Sequence, residues 1–314
     1  MKIGFIGLGN VGSKLAHSLL KNGVNLTVRD INIDKTNLFK KMGASVAKSS
    51  KELASKVDII ITCLPSISAC SKVMESKDGV IKGITKNKIW LEMSTTDEKE
   101  VKRIGKIIEK KNCIALDAPV SGGCHRADTG NISIFVGGKR SGFNKVFPFL
   151  SYMGNKIIYT GKLGTASILK VITNYLATTN LVSLGEALIV AKKSNIDLKK
   201  AYQAIKISSG NSFVHETESQ VILNGSYNIN FTMDLVLKDI SLFNDLGKKF
   251  NIPLDISPKL IKIFKNGKKR YGSRAWSSMI VKRLEDDCQI NLRAKGFPKE
   301  LIDKTNKMKG IEIK

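Results

Sequence analysis

The 314-residue sequence predicts an α/β fold, in which an N-terminal doubly wound, largely parallel sheet precedes an all-α C-terminal domain. Three observations carry this. Short apolar runs alternate with helix-length amphipathic stretches through the first half of the chain. A glycine-rich loop joins the first of those runs to the first helix. From Leu163 onward the periodicity becomes helical and stays so. The expected domains are 1–162 for the sheet, 163–290 for the helices and 291–314 for a charged C-terminal tail.

In chain order, the strand candidates are Ile3 to Ile6, Leu26 to Val28, Asp58 to Thr62, Ile89 to Glu92, Ile114 to Leu116, Ile132 to Val136 and Lys156 to Tyr159. Each is a short run of the length a buried strand needs. The first helix follows the glycine loop and runs to Asn22, with Gly23 as its C-terminal cap. In the second half Ile168, Ile172, Leu176, Leu181, Leu184, Leu188 and Val190 recur three to four residues apart, which predicts one long helix. Further helices are expected over Asp197 to Lys206, Val214 to Leu223, Met233 to Phe250, Pro258 to Asn266 and Ser277 to Asp287, with Gly225 and Gly267 as punctuation. Beyond Asn291 the chain is rich in charge, Gly and Pro and reads as a loosely attached tail.

Composition narrows the function classes. No apolar run approaches the ~20 residues of a membrane helix, and the chain opens directly on a strand-like segment rather than a secretion signal, so a cytoplasmic protein with no membrane partner is expected. Five cysteines, with no Cys-x-x-Cys pair and no matching histidine spacing, support neither a disulfide framework nor a metal site. The formal net charge of +25 favours nonspecific attraction to anions. Its lysines are scattered, however, and no nucleic-acid module is recognisable, so nucleic acid is not the expected partner.

Gly7-Leu8-Gly9-Asn10-Val11-Gly12 is a Gly-x-Gly-x-x-Gly element placed between a strand and a helix, the context in which it binds a dinucleotide. Gly7 permits the tight turn, Gly9 lets backbone amides approach a pyrophosphate, and Gly12 lets the helix pack against the strand. The pyrophosphate then sits at the positive end of the helix. The first domain is therefore expected to be an NAD(P)-binding, Rossmann-type domain. Asp30 ends the second strand where a carboxylate meets the adenosine ribose, which favours NAD over NADP. The neighbouring Arg29 and Lys35 keep NADP open, since either can turn toward a 2′-phosphate.

Lys170 and Asn174 are four residues apart on the long apolar helix and so share a face. A lysine in such a setting either snorkels to solvent or has a chemical task beside a bound ligand, because lysine is rarely buried without a partner. Acid/base catalysis is such a task. Of the histidines, His17 reads as a surface or packing residue, and His215 as at most a support behind the site; neither is expected to catalyse.

With these elements in place, the chain resembles the β-hydroxyacid dehydrogenase family, whose members act on 3-hydroxyisobutyrate, tartronate semialdehyde, glyoxylate or succinic semialdehyde. Four blocks carry the resemblance: Gly4 to Gly12, Asp117 to Gly123 (Asp-Ala-Pro-Val-Ser-Gly-Gly), Gly161 to Asn174, and Leu235 to Ile240. It implies that Ser121, Gly122 and Gly123 hold the substrate carboxylate, a role that suits a nest of successive amides. It further implies that Leu64 and Pro65 line the cofactor cleft, that Thr95 meets the nicotinamide end, that Lys238 reaches the cofactor from the helical domain, and that the enzyme is a homodimer or homotetramer. The departures cluster near the substrate. Arg126-Ala127 stands where relatives usually have Gly-Ala, Gly130-Asn131-Ile132 where they have Gly-Thr-Leu, and Thr173 where many have a first asparagine. Arg126 is either a solvated loop residue or a grip for a second acidic group.

The expected activity is hydride transfer between a nicotinamide cofactor and a small β-hydroxy acid or its semialdehyde. Lys170 serves as general acid/base and Asn174 orients the substrate hydroxyl or the lysine. One lysine serves both directions if burial and the oxidised nicotinamide lower its pKa from the ~10.4 of a model peptide. Reduction of another small acidic aldehyde (glyoxylate, succinic semialdehyde, tartronate semialdehyde or sulfolactaldehyde) is the enzymatic alternative. A non-catalytic NAD(P)-binding protein, acting as a sensor or beside nucleic acid, is the other.

Overall fold

Apolar strands and capped helices alternate from the N-terminus in the computed structural model, which describes residues 1–314. In chain order they are β1 (Ile3–Ile6), α1 (Asn10–Lys21), β2 (Leu26–Arg29), α2 (Ile33–Lys41), β3 (Ser45–Val46), α3 (Ser50–Lys56), β4 (Ile59–Thr62), α4 (Ile67–Glu75) and α5 (Val80–Gly83). There follow β5 (Ile89–Glu92), α6 (Glu98–Glu109), β6 (Ile114–Asp117), β7 (Val120–Ser121), α7 (Gly123–Asp128), β8 (Ile132–Gly138), α8 (Arg140–Met153), β9 (Gly154–Gly161) and the long α9 (Thr165–Lys193). The remainder is helical, with α10 (Leu198–Lys206), α11 (Phe213–Asn224), α12 (Met233–Lys249), α13 (Ile256–Tyr271), a 3-10 turn (Ser277–Ile280) and α14 (Lys282–Cys288), until the terminal strand β10 (Ile311–Ile313).

The chain divides into two compact units, one of Met1–Lys170 with Asp303–Lys314 and one of Val171–Ile302. In the first, the strands lie in the order β10-β9-β8-β6-β5-β4-β1-β2-β3, with β7 paired to β8. Pairing is parallel except for β8 against β6 and β7. Parallel strands covered on both faces read as unbroken apolar runs, and β1, β4 and β5 are buried throughout. Their side chains still alternate: Ile59, Ile61, Ile89 and Leu91 join one core, while Ile60 and Trp90 join another. Strand order reverses between β1 and β4, the crevice where doubly wound sheets bind nucleotides.

The second unit is built on α9 to α14, with Leu181, Leu188, Val236, Ile240, Leu260 and Phe264 in its core. Helix α11 ends at Gly225, which adopts the left-handed conformation (φ 91°) that this cap requires. Asp197 caps α10 by accepting from the Lys200 amide. His215 is 1% exposed, one ring nitrogen lying 2.9 Å from the Tyr202 carbonyl and the other 2.9 Å from Ser219 Oγ, so it is a packed structural residue.

The first compact unit extends to Lys170, inside the continuous helix α9. Several expectations need correction. Gly267 ends nothing; it lies within α13, where a Cβ would stand 2.6 Å from Ile280 Cδ1, so glycine serves close packing. The helix expected over Ser277 to Asp287 is broken into a 3-10 turn and α14. Residues 291–314 are not a loose tail. Leu292 is fully buried, the Ala294 amide donates to the Leu223 carbonyl, and β10 pairs in parallel with β9. Arg293 reinforces the first of these attachments, pairing with the buried Glu285 at 2.8 Å and donating to Tyr227 Oη at 2.9 Å. These attachments rest on isolated apolar residues such as Leu292, on single polar anchors and on backbone pairing, which leave no hydrophobic period to read.

Candidate active site

The first-unit candidates lie where parallel strands end at one edge of the sheet. Gly7 follows β1 with φ 101° and donates its amide to the Arg29 carbonyl at 3.0 Å. A Cβ on Gly7 would lie 2.3 Å from the Cys63 carbonyl oxygen, and one on Gly12 would lie 2.1 Å from that of Gly7. A Cβ on Gly9 would meet nothing within 4 Å. Gly9 has an ordinary φ of −66° and no side chain caps α1, whose first turn, beginning with Asn10 and Val11, contains no acidic residue. Folding therefore demands Gly7 and Gly12, while the bare surface at Gly9 fits a phosphate group approaching the positive end of α1.

Asp30 closes this loop from β2. Its carboxylate accepts from the Leu8 amide at 2.5 Å and from the Asn32 amide at 2.8 Å, which fixes both oxygens and leaves each further acceptor capacity. Arg29 turns its guanidinium onto the Asp30 backbone carbonyl.

After β4 and β5, the loops carrying Leu64-Pro65 and Thr95 are joined by a buried polar relay. Trp90 Nε1 donates to Thr62 Oγ1 (2.9 Å), Thr62 donates to Glu92 (2.8 Å), and Glu92 accepts from the Ser94 amide (2.8 Å). Ser94 Oγ in turn accepts from the Leu64 amide at 2.8 Å. Burial pushes the Glu92 carboxyl above its usual range, against the hydrogen bonds from Ser94 and Thr62. A carboxylic acid ending an apolar strand is a sequence signal for such an anchor.

After β6 comes the Ser-Gly-Gly turn. Ser121 pairs with Ser133 of β8, and Gly122 (φ 125°) and Gly123 (φ 83°) adopt conformations that L side chains rarely adopt. Arg126 approaches from α7, where a Cβ on Gly122 would lie 3.3 Å from its Cδ. His125, which the sequence reading passed over, packs beside Gly123, with Cε1 at 3.0 Å from the position of a Cβ there. Burial, then the nearby Arg126, holds its imidazole below the ordinary range. His17 is exposed on α1, away from any such setting.

Lys170 is 7% exposed. The start of its helix is held by Asp117, a wholly buried residue whose carboxylate accepts from the Gly164 amide (2.8 Å), the Ser167 amide (2.7 Å) and Ser167 Oγ (2.8 Å). Burial raises the Asp117 carboxyl and these bonds oppose it. Asp117 was legible as part of a motif; its task at the head of α9 was not, because the two are far apart in sequence.

In the second unit, Asn174 Nδ2 donates to Asp239 Oδ2 at 2.5 Å, and Lys238 Nζ pairs with Asp239 Oδ1 at 2.9 Å. Asp239, buried and assigned no role from sequence, thus brings Asn174 and Lys238 together.

Residues 2–161 match the family described as the NAD binding domain of 6-phosphogluconate dehydrogenase, and residues 164–284 that described as the NAD-binding of NADP-dependent 3-hydroxyisobutyrate dehydrogenase. The chain is 32% identical over 283 residues to 2-(hydroxymethyl)glutarate dehydrogenase of Eubacterium barkeri, covering 90% of this chain and 94% of that protein. It is 31% identical over 293 residues to mitochondrial 3-hydroxyisobutyrate dehydrogenase of Mus musculus, covering 91% and 88%. The crystal structure of 3-hydroxyisobutyrate dehydrogenase from Salmonella typhimurium superposes with a TM-score of 0.82 at 25% identity, covering 90% of this chain and 99% of that one. These matches, over a cofactor loop built as described, establish that the chain belongs to the β-hydroxyacid dehydrogenase family and is an NAD(P)-dependent hydroxyacid dehydrogenase.

Proposed function

We propose that the enzyme interconverts a small β-hydroxy acid of the 3-hydroxyisobutyrate type and its semialdehyde, with Lys170 as general acid/base. The observation that carries this reading is a lysine 7% exposed on a helix whose first turn is anchored by the buried Asp117. The nicotinamide, when bound, supplies or accepts the hydride at its C4.

The chain's own residues do the rest. The amides around Gly7, Leu8, Gly9, Asn10, Val11 and Gly12 hold the pyrophosphate, and Asp30 accepts from the ribose hydroxyls. Leu64, Pro65 and Thr95 bound the nicotinamide end, and Lys238 contributes from the second unit. Ser121, Gly122 and Gly123 receive the substrate carboxylate. Lys170 gives a proton to the carbonyl oxygen on reduction and removes it from the hydroxyl on oxidation, while Asn174 orients the reacting hydroxyl. The carboxylate of Asp30, together with the engagement of Arg29 by the Asp30 carbonyl, supports NAD as the preferred cofactor over NADP.

One observation favours a second reading. Arg126 lies against the Ser-Gly-Gly turn, and the Eubacterium barkeri relative is named for a dicarboxylic hydroxy acid. A guanidinium there suits a substrate with a second acidic group, such as the dicarboxylic aldehyde 2-formylglutarate. The reading extends to a homodimer or homotetramer acting in the cytoplasm, with neither nucleic acid nor membrane as partner. No helix of the chain is long and apolar enough to cross a membrane.

The test is a steady-state assay of nicotinamide absorbance with NADH or NADPH against methylmalonic, malonic, succinic and tartronic semialdehydes, glyoxylate, sulfolactaldehyde and the two-acid aldehyde 2-formylglutarate. Saturable turnover of methylmalonic semialdehyde above the others supports the first reading, and preference for a two-acid aldehyde lost in Arg126→Ala supports the second. Tight NADH binding with silence across the panel, or turnover unchanged in Lys170→Ala, overturns both.

A further inference from the structure

The family matches end at residue 284, yet the last residues of the chain are fastened to the first unit at both ends of their run. At one end β10 pairs with β9 through Ile311 and Lys156, Glu312 and Ile157, and Ile313 and Ile158. Arg140 grips Glu312 with two bonds of 2.5 and 2.7 Å. At the other end the contacts converge on three consecutive residues. Asp303 accepts from Thr129 Oγ1 at 2.6 Å. Lys307 Nζ donates to the Gly130 carbonyl at 2.6 Å. Asn131, 2% exposed, donates from Nδ2 to Thr305 Oγ1 and to the Asn306 carbonyl, both at 3.1 Å, and accepts from the Met308 amide at 2.9 Å.

Thr129–Asn131 is the return path from the Ser-Gly-Gly turn. Asn131 N and Thr129 Oγ1 both donate to the Arg126 carbonyl, at 2.8 and 3.2 Å, closing α7. Two residues beyond Asn131, Ser133 pairs with Ser121. The turn itself is two glycines at positive φ, with no side chains to lock it, so its geometry depends on its flanks. Asn131 also stands where the family resemblance leads one to expect threonine. A threonine has no amide with which to hold Thr305, Asn306 and Met308 together, so the departure at 131 and the added segment account for each other.

We propose that Asp303–Lys314 is a positioning strap for the Ser121–Gly122–Gly123 turn: by fixing Thr129–Asn131 it sets how the turn's amides meet the acidic end of the substrate. The proposal rests on the reading of that turn as the substrate's anion site.

The test uses full-length Asp303→Ala/Lys307→Ala and, beside it, a chain ending at Ile302. The expected result is a rise of roughly tenfold or more in KM for the acidic substrate, a KM for the nicotinamide cofactor within about twofold of the parent, and faster amide hydrogen exchange over residues 121–131. Unchanged exchange there overturns the strap. Faster exchange and a lower Tm with unmoved substrate KM also overturn it, leaving a purely structural attachment. Gly123→Ala, which strains the turn at φ 83° and sets a Cβ 3.0 Å from the His125 ring, displaces the amides and so separates the two readings. If it raises substrate KM while the strap variants do not, only the strap fails; if it leaves KM unmoved, the anion-site reading fails and takes the strap's role with it. Should the shortened chain fail to fold, the full-length double variant decides.

Discussion

Of the glycines in the first loop, Gly7 and Gly12 are fixed by the protein's own backbone, whereas Gly9 faces open space. This separates stability from binding. Gly12→Ala, forced against the Gly7 carbonyl at 2.1 Å, is expected to lower Tm by thermal unfolding. Gly9→Ala is expected to leave Tm unchanged and weaken the cofactor. Losing one amide bond to a charged oxygen, ~1.5 to 3 kcal/mol, corresponds to a rise in Kd of roughly ten- to a hundredfold, read by fluorescence titration. Lys170→Ala is expected to reduce kcat by roughly two or more orders of magnitude with cofactor Kd nearly unchanged; equal loss of both would remove the lysine from the chemistry. Asp30→Ala removes the carboxylate proposed to accept from the ribose and also releases the Leu8 amide. The ratio of kcat/KM for NADH over NADPH should therefore fall, and a ratio that holds would assign the preference to Arg29 or Lys35.

Among the elements, those built on burial were legible and those built on polar anchors were not. β1 and β5 have the bounds that their apolar runs predict, and α12 differs from its expected span by its last residue. Ser45–Val46 and Val120–Ser121 are too short to carry a period, and Ile311–Ile313 sits in charge-rich sequence where composition argues against order. The site divides the same way. The glycine loop, Asp30 and Lys170 are proposed from residue type and position, while Asp117, Glu92 and Asp239 act through partners that only folding brings near. The strap supplies a pH prediction. Burial alone would raise the Asp303 carboxyl, but bonds from Thr129, Thr305 and Asn131 outweigh it and hold it at about 2. Its folded value thus lies below the ~3.9 of an unfolded aspartate. The stability it adds is present above pH ~4 and lost as pH falls through the folded value. Acid unfolding of the parent and of Asp303→Asn should therefore differ near neutrality and converge as the pH nears 2; parallel curves would count against it.

At the scale of the whole molecule, the chain leaves the first unit within α9 and returns to it at Asp303, so the second unit is an insertion between two segments of the first. The +25 charge is distributed through both units rather than gathered into one arm. Its effect on association is expected to be a salt-sensitive background, with anion affinity falling as ionic strength rises; retention on heparin that vanishes at moderate salt without change in kcat would match this.

That insertion fixes an order of events during synthesis. Domains generally complete themselves from the N-terminus as the chain emerges from the ribosome, but this sheet receives the edge strand β10 only after the second unit has been made. Until then β9 is an open edge, the feature most prone to pairing with another chain. The nascent enzyme therefore carries its adhesive surface for the whole time that the helical insertion is being made, and a ribosome that stalls before β10, or a message cut short there, leaves a product with that edge bare.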